Sequence, residues 1–229
     1  MKQTFRRIIK KIRNVNGNSL AEFATTTALM ATLAATAAPK LSEMSENTKM
    51  EKSYNELDKL LTQARNFYQA TTFSEGRGRF PGQEKYDVPV GGYGQIRGTQ
   101  QHAIEAEQQL LYDLLSPDDA EGSFNTWDHQ ASVKWISVFG INNAAAPAPE
   151  GSSVSDDNII SCPQCYSEKP GHEEWLDLFA GNTLLSPYQD GHFIYVVIPG
   201  GGTGENVFPP VIYVADLESP VNINNVLEP

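Results

Sequence analysis

The sequence predicts an α+β fold in which one long N-terminal helix lies against a small antiparallel β-sheet head. Three observations predict it. Residues 19–38 hold a single charge in a run of mostly Ala and Thr. Such a run is long enough to cross a bilayer, because about 20 helical residues span roughly 30 Å. Directly after it, Leu57, Leu60, Leu61, Ala64, Phe67 and Tyr68 recur at helical spacing, with Glu, Lys, Asp and Gln on the opposite face. The last third holds two apolar, β-branched runs, FIYVVI at 193–198 and VIYVADL at 211–217.

Charge orders the chain along its length. The 229 residues carry a net charge of −11, yet Lys2, Arg6, Arg7, Lys10, Lys11 and Arg13 precede the apolar run without an acid among them. The remainder is therefore still more acidic. An acidic surface argues against nucleic-acid binding, which needs basic patches to neutralise phosphates. By the positive-inside rule the basic leader is expected to stay in the cytoplasm, with the acidic bulk outside, as in a single-pass protein.

The run from Gly17 to Pro39 sets the helix. Leu20, Phe23, Leu29, Met30 and Leu33 are its large side chains, and five Thr fill much of the rest. In a helix, Thr hydroxyls can bond a carbonyl one turn back and so satisfy themselves. Small side chains let neighbouring helices approach closely. Pro39 lies inside the pattern and predicts a kink, because proline removes a helix hydrogen bond and clashes with the preceding turn. The helix is expected to resume and run from residue 19 to about residue 72.

Turn residues then stop it: Gly76, Gly78, Pro81 and Gly82 fall in the string GRGRFPG. Residues 99–115 predict a second helix with Ile104, Leu111, Leu114 and Leu115 as its apolar stripe. Residues 135–141 (WISVFGI) predict a strand. Residues 142–157 are Pro-, Ser- and Ala-rich and predict a surface loop. Between the two late strands, PGGGTGENVFPP is too long for a tight hairpin. Near-continuous apolar strands predict burial, with one face on the long helix.

The N-terminal pattern resembles a known family. A basic leader, Gly17, a short neutral segment, Glu22, an apolar run and Pro39 look like the start of type IV pilins and type II secretion pseudopilins. GRGRFPG resembles the Gly-Arg-aromatic-Pro string that follows the long helix in pseudopilins. The match departs at Asn18, where the family usually has Phe or Met, and in its Ala and Thr content. The resemblance implies a leader over 1–17 cleaved between Gly17 and Asn18 by a prepilin peptidase, with methylation of the new N-terminus. It implies a transmembrane and filament-core helix over 18–39, an amphipathic half over 40–75 and a globular head over 76–229. It also implies Glu22 as an assembly and registration carboxylate. The implied partners are other copies of the chain, other pilin-like subunits and an inner-membrane assembly platform, and no enzymatic activity is implied. The alternative is a membrane-anchored periplasmic binding protein or enzyme with an uncleaved signal anchor.

Chemistry-bearing residues in the head are sparse. Cys162 and Cys165 form a CxxC pair with three open readings: a local disulfide, half of a zinc site or a redox pair. Zinc needs two further ligands, for which His129 and His172 are available. His102 and His192 are scattered, and no nucleophile elbow occurs. The glycines at 200–202 and 204 lack the Lys-Ser/Thr ending of a phosphate loop. Many pseudopilin heads hold calcium in a C-terminal loop. By that resemblance Asp190, Asp216 and Glu218, which flank the last two strands, are the candidate calcium ligands.

Overall fold

The computed structural model describes residues 2–115, 134–140, 171–188 and 192–229, with side chains from residue 20 onward. The chain divides into two compact units, Met1–Thr48 and Lys49–Pro229. Helix α1, Lys2–Glu75, contributes to both. It begins upstream of the expected start at residue 19 and continues through Pro39 without interruption of its helical assignment. The division falls inside the helix. The first α1 side chains that pack into the head core are Met50, Leu57 and Leu60.

In the first unit, the side chains from Leu20 to Leu33 face outward. Leu20, Phe23, Leu29, Met30 and Leu33 are each 68–75% exposed. All five threonines of the run bond backward along the helix. Thr25 donates to Ala21 O at 3.0 Å, Thr26 to Glu22 O at 2.8 Å and Thr27 to Phe23 O at 2.5 Å. Thr32 donates to Leu29 O at 2.9 Å and Thr36 to Thr32 O at 3.0 Å. These bonds close the hydroxyls on their own helix, as the sequence predicts.

The second unit is an α+β head. After α1 come α2 (Gln100–Leu115), β1 (Ile136–Ser137), α3 (Gly171–Leu178), β2 (Phe193–Ile198), β3 (Val211–Asp216) and β4 (Asn224–Leu227). The four strands form an antiparallel sheet in the order β1-β2-β3-β4. Alternation along β2 shows both of its faces buried. Phe193, Tyr195 and Val197 join Leu57, Leu60 and Ala64 of α1 in one core. Ile194, Val196 and Ile198 join Ala106, Leu110 and Leu114 of α2 in a second. The long helix covers one face and α2 the other, which is why β2 reads as a continuous apolar run.

Two expectations are corrected. The strand expected over 135–141 is only Ile136–Ser137. The outer edge of β2 is shared, because β1 pairs with Ile194 and Tyr195 while Val90 bridges to Val197. In α2 the buried stripe is Ala106, Leu110, Asp113 and Leu114, whereas Ile104 and Leu115 are 40% and 53% exposed. The helix has apolar residues on both sides, and the sheet selects the side with Leu110. The long connection between β2 and β3 keeps antiparallel pairing beyond the strands, through a bridge from Gly201 to Phe208.

Candidate functional site

Four of the residues that the sequence singles out, Gly17, Asn18, Glu22 and Pro39, lie on α1. Its segment after Leu20 is long and apolar enough, by length and composition, to cross a membrane. Glu22 is exposed, and its backbone carbonyl accepts from both Thr25 and Thr26. Its carboxylate is the only charge between residues 20 and 38. Gly17 and Asn18 fall within the helical backbone of α1. Cys162, Cys165, Asp190 and His129 lie outside the described residues, as does the loop over 142–157.

Asp216 is described and fully buried. Its Oδ2 accepts from Ser53 Oγ of α1 at 3.0 Å and from Ser186 Oγ at 2.7 Å, while Oδ1 accepts the Glu218 N–H at 3.1 Å. Burial pushes this carboxyl above the ordinary range, and the hydroxyl and N–H donors oppose that rise. Calcium coordination at Asp216 would require those donors to turn away. As it stands, the carboxylate ties α1 to the end of β3.

A second buried carboxylate organises the turn after α1. Arg79, in the GRGRFPG string, places Nη1 3.0 Å from Glu174 Oε1 of α3 and Nε 3.0 Å from Glu75 Oε1 of α1. Nη1 also donates to Gln83 O at 3.0 Å, and the guanidinium lies 5.0 Å from the centroid of the Phe67 ring. Glu174 Oε2 accepts the Gly82 N–H at 2.6 Å. Burial raises the Glu174 carboxyl above its usual value, outweighing the Gly82 N–H and Arg79. Tyr195 lies below, fully buried, with its hydroxyl against two glycines. A Cβ on Gly82 or Gly171 would sit 2.5 or 2.6 Å from that oxygen.

Two further polar groups were not legible in the sequence. Asp113 accepts from Tyr93 Oη at 2.8 Å and pairs with Lys134 Nζ at 2.6 Å beneath α2. Ser137 Oγ contacts His192 Nε2, with Ser137 fully buried and His192 4% exposed. A nucleophile must reach its substrate, so this pair reads as a cross-strand tie between β1 and the start of β2. Arg79 had a signal in its Gly-Arg-aromatic-Pro string, but Glu174, Asp113 and Ser53 had none, because partners 20–163 residues apart leave no local pattern. Comparison with protein families, with curated proteins and with solved structures finds no match for this chain.

Proposed function

We propose that this chain is a structural subunit of a type IV pilus-like filament or type II secretion pseudopilus, assembled through its N-terminal helix. One observation carries the reading. The stretch over 20–38 exposes its large apolar side chains, closes its hydroxyls on itself and carries one carboxylate, Glu22. A charge at membrane depth costs about 2.5–3.5 kcal/mol on insertion scales, so it marks a functional position. After cleavage at Gly17, Glu22 would lie one helical turn from the new α-amino group. An α-amino group has a reference pKa of about 7.7–8.0 and is largely cationic at neutral pH. Pairing between that amine and a neighbouring subunit's Glu22 would relieve the desolvation on leaving lipid.

The experiment compares wild type with Glu22→Ala in the native host. Filaments or cargo secretion should be lost while membrane insertion and protease resistance of the head persist. Intact-mass measurement should place the mature N-terminus at Asn18. A chain that retains Met1, with normal secretion from Glu22→Ala, refutes the proposal and favours the membrane-anchored alternative.

A further inference from the structure

The head carries a groove unrelated to the segment upstream of Lys49. The flank of α1 and the last strand, β4, enclose about 400 Å³, lined by Asp58, Leu61 and Arg65 on the helix and by Asn225, Val226 and Leu227 on the strand. That volume falls within the roughly 300–1,000 Å³ of ordinary binding sites. Arg65 is exposed there and makes no ion pair or hydrogen bond among the described residues. The other charge in the groove, Asp58, accepts from Asn225 Nδ2 at 3.2 Å. The two are seven helical steps apart, about 10 Å at roughly 1.5 Å per residue. The groove therefore has a cationic end and an anionic end, with Leu61 and Leu227 among the residues that line it.

Its strand side is a sheet edge. β4 pairs with β3 alone among the described residues. The Val226 N–H is met by a side-chain oxygen, Asn225 Oδ1, at 2.9 Å. That oxygen occupies the role that a carbonyl from an added strand would take.

We propose that this groove binds an extended peptide segment of a partner protein, laid along β4, with an acidic side chain on Arg65. Charge complementarity selects this occupant. A guanidinium offers a fork that a carboxylate fills with two parallel bonds. A basic side chain laid at Arg65 would meet repulsion, whereas Asp58 lies about 10 Å away along the helix. The residues on either side of the acid point to the other face of the sheet, where Val226 lies opposite Tyr213, so apolar side chains suit them.

Fluorescence anisotropy on the full chain in detergent micelles tests this. The probes are labelled Ac-Ser-Val-Glu-Val-Ser-NH2 and its counterparts with Gln or Lys in place of Glu. The Glu peptide should bind at least roughly tenfold tighter than the Gln peptide, and Arg65→Glu should invert the preference toward Lys. Arg65 is exposed, so the variant should keep its buried-tryptophan fluorescence, which verifies the fold. Equal binding of the three peptides, an Arg65→Glu variant with unchanged preference, or no binding up to about 1 mM would each overturn the proposal.

Discussion

Replacing Arg79 with Ala should destabilise the head strongly near neutral pH and much less in acid. Arg79 and Glu174 have side chains only 14% and 8% exposed. Truncation leaves Glu174 buried, with the Gly82 N–H as its remaining partner among the bonds described above. Breaking a buried pair in this way costs about 3–5 kcal/mol. Loss of the contact over Phe67 adds about 0.5–1 kcal/mol. At about 2–4 °C per kcal/mol for a domain of this size, 3 kcal/mol lowers the melting temperature by about 6–12 °C. The pH dependence follows from Glu174. Its carboxyl is already held above 4.5 by burial, and removing Arg79 raises it further. The folded variant then binds a proton more tightly than the unfolded chain does. The penalty is therefore complete above the folded pKa and disappears below the unfolded one. Thermal unfolding of full-length chain in micelles, followed by the fluorescence of buried Trp135 and Trp175, should show the gap to wild type narrowing from neutral pH toward pH 4.5. Glu174→Gln in the Arg79→Ala background should recover part of the loss at neutral pH. A gap that stays constant with pH, or a loss below about 1 kcal/mol, would refute the buried-pair argument.

Gly171→Ala should destabilise by about 1–3 kcal/mol through overpacking against the Tyr195 hydroxyl and the Gly82 Cα; Tyr195→Phe in the same chain should restore part of it in urea titrations, the contact at 3.0 Å with Gly82 Cα keeping the rest, and no restoration would place the clash elsewhere. Asp216→Asn should flatten the dependence of stability on pH. With the folded carboxyl held above 3.8, the wild type's contribution from this group is complete below 3.8 and lost as pH rises through the folded value; identical slopes in the two proteins would contradict that assignment.

The parts of the fold that were legible are those whose environment is uniform along the chain. Leu57, Leu60 and Ala64 face one core, so their helical spacing survives intact. β2 is covered on both faces and reads as an unbroken apolar run. Of the expected α2 stripe, Leu114 is buried and Leu111 packs against the core, but Ile104 and Leu115 are exposed and Ala106 and Leu110 take their place, because only the sheet decides which flank of the helix is covered. Asp113 worsened the pattern by placing a carboxylate at a core position that Tyr93 and Lys134 make tolerable. β4, with the sequence Asn-Asn-Val-Leu, carries little strand signal. Its pairing is imposed by register against β3, from Ile212↔Leu227 to Ala215↔Asn224.

The spacing of alanines over 20–38 sharpens the argument for Glu22. Ala21, Ala24, Ala28, Ala31, Ala35 and Ala38 recur at alternating steps of three and four, a heptad seam of small side chains. A seam of identical residues permits close approach but does not fix register, because sliding by one heptad restores nearly the same contacts. Hydroxyls on this stretch do not supply register either, since Thr25, Thr26, Thr27, Thr32 and Thr36 are all bonded to their own helix. Large side chains mark positions weakly, by shape alone. The one directional group left is the Glu22 carboxylate, which occurs once and cannot be matched by a shifted neighbour. Under the proposed assembly, Glu22→Ala removes the register mark while leaving the seam, and the expected result is misaligned or absent filaments from a chain whose membrane insertion and head are unchanged.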